Sequence, residues 1–463
     1  MRAHILRFVW LLGCGSCLLG WSSRATAQPT SNAPSNAPPP PPSGPGGRTP
    51  SIDVPPPVSD APPAVVTFPP AEVTEPPGGA PPAPPASPPP SVAAPIAGSA
   101  QAPGPGGAAN VPAAIPLTMD EIPVSSASTR VTLNLFGDTA FSIDSVTPRK
   151  PAFILGPLDL LLWGQFANLS ASAELAIEPL RDGTVGLDLE RSFIRWHTER
   201  FFIDAGRTHS EIGYWNNAFH HGRWLQMPVE RPRAVVFEDE GGILPVHWVG
   251  ATAHFLAITG AEQLELIAAL GNGRGNIVDD IHAKDDTNGF KSILFKVDLR
   301  GVGAEDLHLG LSGIFDHIAA ASAALRPALP DQAINEAIGN AYLAYRGTDF
   351  TGIAEAYEIV HSVPGQSWNT LDAFALLAYR LGAVTPYVLG EIRRGDIASD
   401  PFFFPGTVAT GEEPILGRTV ETTAGLRWDL DAWSAVKVEY RGTFYKDGGS
   451  RIDRGMVDWS FGL

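Results

Sequence analysis

Beyond Cys17 the chain has no cysteine, and Cys14 and Cys17 both fall in the apolar stretch near the N-terminus. A mature protein cut after that stretch has no disulfide framework and no thiolate metal site. No apolar run long enough for a membrane-spanning helix follows it. Positive charge is also scarce: 32 Lys and Arg stand against 49 Asp and Glu, a net charge of −17, which argues against nucleic acid as a partner. Catalytic signatures are missing too. His209-Ser210-Glu211 contains the residue types of a triad, but adjacency along a strand or loop does not assemble one. No nucleophile elbow or phosphate-cradling loop occurs, and we expect no enzyme activity and no cofactor. His220-His221, with His209, His247 and the acidic run Glu238-Asp239-Glu240, matches no compact zinc spacing, and adjacent histidines on an extended segment point opposite ways. Gly271 to Gly275 with Asp279, Asp280, Asp285 and Asp286 lacks the fixed spacing of a calcium loop and reads as a solvated surface loop. No metal site is expected.

What is present begins with a leader. A basic stub, MRAHILR, precedes an apolar core and Ala25-Thr26-Ala27, the pattern of a signal peptide over residues 1–27 cleaved after Ala27. Leu11-Leu12-Gly13-Cys14 also fits a lipobox with Cys14 lipidated, so two processing routes stay open. Residues 28–122 are mostly proline, alanine, serine and glycine with few charges, a composition that buries no core and favours polyproline II. At about 3.1 Å per residue, such a linker reaches on the order of 280 Å when fully extended. It is either a passive spacer or a tether toward the cell wall or a periplasmic partner.

Residues 123–463 form the folded domain, and their pattern is alternation. In Ser292–Arg300, Ile293, Phe295, Val297 and Leu299 share one face, while Ser292, Lys296, Asp298 and Arg300 share the other. In Thr419–Leu430, Val420, Ala424, Leu426 and Trp428 alternate with Glu421, Thr423, Arg427 and Asp429. In Ser434–Tyr445, Val436, Val438, Tyr440 and Phe444 alternate with Lys437, Glu439, Arg441 and Tyr445. Such strands fit a transmembrane barrel, with lipid outside and a wet lumen faced by the charges. Lys296, Asp298, Glu421, Arg427, Asp429, Lys437, Glu439 and Arg441 are the lumen-facing candidates. One segment, Val185–His197, breaks phase: Leu187 and Leu189 set a register that turns Arg191 and Arg195 to lipid unless a bulge near Glu190 resets it.

Sixteen strands are predicted, near 129–138, 154–166, 168–178, 185–198, 200–208, 244–258, 262–271, 289–300, 304–318, 339–347, 350–362, 367–382, 384–396, 417–430, 432–446 and 453–463. Short and long connections alternate between them, as they do when both chain ends lie in the periplasm. Trp196, Phe201, Trp248, Trp428, Trp433 and Trp459 fall near strand ends, where interfacial girdles sit. The longest connection, about 208–244, is the third outer one. Its Trp, Phe and Tyr side chains need burial, and the inside of the barrel is the available place.

The final strand GMVDWSFGL, the stretch GLRWDLDAWSAVKVEYR, and the segments GRTHSEIGYWNNAFHHGRWLQ and FEDEGGILPVHWVG resemble bacterial outer-membrane porins, with Leu463 in place of their usual terminal Phe. The resemblance implies a sixteen-stranded barrel in outer-membrane lipid, often a homotrimer, that passes small solutes. It also implies that the third outer loop folds inward and narrows the pore. On that basis Arg223, Arg231 and Arg233 would oppose Glu238, Asp239 and Glu240 across the constriction and set ion preference through the local field. The same charges could instead pair with one another or with the wall and only fix the loop. The expected function is passive diffusion of small hydrophilic solutes or ions across the outer membrane of a Gram-negative bacterium, with the Pro-rich segment in the periplasm. The alternative is a plugged barrel serving adhesion, or envelope anchoring through that segment.

Overall fold

A computed structural model describes residues 129–463 apart from 146–150, 181–182, 220–221, 239, 279–285, 287, 404–416 and 448. The signal peptide, the Pro-rich linker, His220-His221, Asp239 and the aspartates at 279, 280 and 285 lie outside the described residues.

Sixteen antiparallel strands close on themselves, each paired with its neighbours in sequence, and β1 pairs with β16. They are β1 (Arg130–Asp144), β2 (Ala152–Phe166), β3 (Leu169–Pro179), β4 (Val185–His197), β5 (Phe201–His209), β6 (His247–Thr259), β7 (Glu262–Gly271) and β8 (Ser292–Arg300). The second half comprises β9 (Leu307–Ile318), β10 (Ile334–Arg346), β11 (Phe350–Val363), β12 (Gln366–Tyr379), β13 (Val384–Gly395), β14 (Thr419–Asp429), β15 (Ser434–Tyr445) and β16 (Arg451–Gly462). Closure leaves no sheet edge, so every strand finds backbone partners on both sides. The last residue takes part: Leu463 and Leu135 exchange backbone hydrogen bonds at 2.8 and 2.9 Å.

The strand count agrees with the alternation, and the boundaries shift modestly. β1 runs six residues past its predicted end, because Asp138 sits at a bulge that restores its phase against β2. Gly156 lies across that bulge, where an added Cβ would fall 2.3 Å from the Asp138 carboxylate. β10 starts at Ile334 rather than 339, since Ile334, Glu336 and Ile338 continue its inward face. β4 does carry the bulge its pattern requires. Glu174 pairs with Arg191 while Leu175 pairs with Leu189, so Glu190 is the extra residue. Leu187 and Leu189 therefore face out, and Arg191 and Arg195 turn inward. Their charges are met by neighbouring strands, Arg191 Nε on Glu174 at 2.7 Å and Arg195 on both oxygens of Asp204 at 2.6 and 2.7 Å.

The two faces of the wall differ as the sixteen-strand pattern demands. Phe295, Leu311, Phe315, Leu343, Leu371, Leu377, Val388, Leu426 and Val438 are exposed on the outside, the sidedness of a barrel that lives in lipid. Trp196, Trp428, Trp433 and Trp459 are exposed near strand ends, as a girdle requires. Trp248 is not part of that girdle. It is 3% exposed and packs inside with Ala269 and Leu244, because its place in β6 gives it inward parity.

Connections at one end are brief, at 167–168, 198–200, 260–261, 347–349 and 430–433. The last of these is held by Asp431, whose Oδ1 accepts the N–H groups of Trp433 and Ser434, each at 2.7 Å. At the other end the connections at 210–246, 272–291, 319–333 and 396–418 are long.

Candidate functional site: the inward third loop

Residues 210–246 leave β5, turn into the barrel and return to β6, and the described residues among them form two single-turn helices, α1 (Trp215–Ala218) and α2 (Gly222–Leu225), and one 3-10 turn at Arg233–Val235. The root is closed by Ser210 N–H on the Val246 carbonyl at 2.8 Å and by Asn216 Nδ2 on the Ser210 carbonyl at 2.8 Å. Pro228, Pro232 and Pro245 keep the rest out of regular structure. A segment without a ladder must find other partners for its buried backbone groups.

The wall supplies them. Loop N–H groups point at wall acceptors: Tyr214 and Trp215 at Glu355 (3.0 and 2.6 Å), Gly213 at Ser312 Oγ (3.1 Å), Val229 at Glu439 (2.8 Å) and Arg233 at Glu391 (2.7 Å). Loop carbonyls point at wall cations: Gly213 at Lys296 (3.0 Å), Trp224 at Arg427 (2.6 Å), Pro228 at Lys437 (3.3 Å), Glu230 at Arg441 (3.0 Å) and Arg233 at Arg393 (3.0 Å). The inward charges of the wall thus take the place of a β-ladder for the loop.

Apolar packing secures the other side. Trp215, fully buried, and Phe219 join Ile314, Ile338, Ile353 and Phe374 of the β9–β12 inner wall in one core, with Trp215 edge-on to Phe374 at 5.6 Å. Trp224 of α2 stacks on Phe136 of β1 at 6.4 Å. The loop therefore reaches strands on both sides of its own root.

The six loop charges singled out from the sequence fall into different surroundings. Arg223 is half-buried and donates to Asp138 at 2.8 Å. Arg233 donates to Glu421 at 2.8 Å and to the Tyr445 hydroxyl at 3.0 Å. Arg231 is buried, lies 4.3 Å over the Phe237 ring, and donates to the Val235 carbonyl at 2.6 Å; burial pushes its guanidinium down to about 10. Glu238 is buried against His247, Oε2 to Nδ1 at 3.1 Å. Burial acts to raise its carboxyl, but the His247 ring and N–H outweigh it and hold the group below the usual carboxylate range. Glu240 is exposed, and Asp239 lies outside the described residues.

Lys296, Asp298, Glu421, Arg427, Asp429, Lys437, Glu439 and Arg441 all stand on the more buried face of their strands. Their setting differs from the wet lining the sequence suggested. Seven of them are buried, Lys437 completely, under loop 3 and against partners such as Tyr342 on Asp298 at 2.6 Å, Tyr387 on Glu439 at 2.8 Å and Arg441 on Glu421 at 3.0 Å. Only Asp429, near the short-turn end, stays half-buried. Sequence reading missed Glu355, Glu391, Arg393 and Asp138, which hold the loop as firmly. Glu391 and Arg393 share inward parity in β13, a signal that the same alternation test could have caught. Among the described residues no group of three or more His, Asp or Glu side chains is arranged to hold a metal ion.

No protein-family model and no curated protein matches the chain. Its structure is similar to the anion-selective porin from Comamonas acidovorans, at 13% identity over 73% of this chain and 100% of that one, with a TM-score of 0.49. It is also similar to the outer membrane channel DcaP of Acinetobacter baumannii (10% identity, 73% and 99% covered, TM-score 0.48) and to OmpT, an outer membrane protein of Vibrio cholerae (8% identity, 73% and 99% covered, TM-score 0.47). The solved structures that the chain resembles are porins and other outer-membrane β-barrels.

Proposed function

We propose that this protein is a porin-like channel of a Gram-negative outer membrane, passing small hydrophilic solutes or ions by diffusion and narrowed by its third outer loop. The observation that carries the reading is the combination of a closed sixteen-stranded wall, apolar outside, with loop 210–246 fastened to its inner face from β8 round to β1. A barrel of sixteen strands is wide enough to leave an aqueous channel unless something fills it. A loop held by charges on opposite walls narrows that channel without closing the barrel itself. In this reading Arg223, Arg231, Arg233, Glu238, Asp239 and Glu240 shape the passage, and the Pro-rich segment lies in the periplasm as a spacer or tether.

One observation favours a second reading, the plugged barrel: the charges on β14 and β15 are buried rather than hydrated. Single-channel recording of the refolded protein in a planar bilayer under a salt gradient separates the two. Discrete current steps are expected, with a reversal potential that moves toward anion preference when Glu238, Asp239 and Glu240 are all changed to Gln. Silence from protein shown to be folded and inserted overturns the channel and leaves the plug.

A further inference from the structure

Two histidines are clamped in the same unusual way. His247, at the start of β6, has Nε2 on Glu190 of the β4 bulge at 2.6 Å and Nδ1 on Glu238 of loop 3 at 3.1 Å. His361, in β11, has Nε2 on Glu336 of β10 at 2.9 Å and Nδ1 on Asp400 of the seventh outer loop at 2.6 Å. In both, Nε2 faces a wall carboxylate and Nδ1 faces a carboxylate carried by a loop. A carboxylate only accepts, so a ring lying between two of them carries a proton on each nitrogen.

We propose that His247 and His361 are proton-operated latches that hold the third outer loop at Glu238 and the seventh at Asp400 against the barrel wall, and that loss of one ring proton releases those two segments. The neutral ring keeps a single N–H. With that hydrogen on Nε2, bonded to the immobile wall, the Nδ1 lone pair is left facing the loop carboxylate. Like electron density then meets in a buried site, and the partner able to leave for water is the loop.

The surroundings of each ring fit the assignment. Beyond its two carboxylates, His247 has the His209 ring edge-on at 5.9 Å and Phe237 stacked at 5.9 Å, with Arg207 of β5 acting on Glu190, Arg231 of loop 3 on both carboxylates, and Glu240 of loop 3 on Arg231. His361 is packed by Phe402 and Phe403 of loop 7 at 5.1 and 4.9 Å, and the Phe402 N–H donates to Asp400 at 2.9 Å. Arg274 of the fourth outer loop binds Glu336 at 3.0 Å and donates to the Ile243 carbonyl of loop 3, while its backbone N–H meets Asp316 of β9 at 2.7 Å. Arg326 of the fifth loop also acts on Asp400. At His361 the four groups in direct contact, Glu336, Asp400, Arg274 and the ring, sum to zero while the ring is charged. Deprotonation leaves those four groups with one net negative charge among side chains that are almost fully buried. The sign follows: the latch is present on the acid side and is lost as pH rises.

The latch stands on its own geometry, but its reading as a gate rests on the channel proposed above. Hydrogen exchange of the full chain in detergent, corrected at each pH for intrinsic exchange, tests the latch without any need for conduction. Protection of segments 237–246 and 396–403 should fall about tenfold as pH rises through the titration of each clamped ring. His247→Gln should abolish that fall for the first segment and His361→Gln for the second, each leaving its segment poorly protected at every pH. Asp400→Asn, a change in a loop rather than a strand, should do the same for 396–403 if the strand variants do not fold. Protection that is flat with pH in the wild type, or that falls equally in the variants, overturns the latch. Loop release in a protein that never conducts overturns the channel and leaves the latch standing.

Discussion

Replacing Arg233 by alanine is expected to free the middle of loop 3 and to turn steady single-channel current into frequent, large, long-lived openings. This one side chain bonds Glu421 of β14 at 2.8 Å and Tyr445 of β15 at 3.0 Å, while its backbone binds Glu391 and Arg393 of β13. Removing one member of a buried ion pair costs about 3–5 kcal/mol, mostly because the partner is left charged and unpaired. Glu421 keeps Arg441 and Thr443, so the lower end of that range applies. About 3 kcal/mol multiplies the population of detached loop by roughly two orders of magnitude. The barrel itself, closed by backbone pairing of β1 with β16 in which this side chain takes no part, should remain folded. Arg233→Lys should fall between the two, since an ammonium cannot reproduce the fork that serves both Glu421 and Tyr445. Current traces unchanged by Arg233→Ala would show that this contact does not hold the loop.

On the outside of the wall, Val438→Arg should destabilise the protein in lipid by about 2–4 kcal/mol, whereas Leu430→Arg should cost about 0–1 kcal/mol. Val438 lies at mid-strand between Leu426 of β14 and Val457 of β16, all three exposed, so an arginine there meets hydrocarbon. Leu430 sits in the short turn after β14, within reach of water at the membrane boundary. Reversible urea unfolding in liposomes reads the difference. Equal costs at the two positions would mean that the apolar band does not sit at the height assigned to it.

Much of this wall is legible in the amino acids because period-two alternation is a local property. Lys437 and Val438 declare opposite faces without knowledge of anything across the barrel, and Leu187, Leu189, Arg191 and Arg195 even announce the bulge at Glu190. Strand ends are less legible. The extension of β1 past Asp138 depends on a bulge shared with β2 and on Gly156 leaving room there, neither of which shows in β1 alone. The loop shows the limit most clearly. Its length and aromatic content point inward, but which wall carboxylate takes which N–H is decided by residues more than a hundred positions apart, such as Trp215 with Glu355 and Val229 with Glu439. For the same reason the inner charges read as wet. Alternation marks Lys437 as inward and is silent on the loop 3 carbonyls that cover it. Trp248 erred in the other direction, since a tryptophan at a strand end looks like a girdle residue until its parity is seen in the sheet.

Whether loop 3 narrows a conducting barrel is read by comparing two proteins in the same planar bilayer: the wild type, and a chain in which residues 214–242 are replaced by a short Gly-Ser connection. Both should conduct in discrete steps, with the shortened chain giving the larger single-channel current and weaker ion discrimination. Equal currents in the two would contradict the account, and so would a wild type that stays silent while the shortened chain conducts.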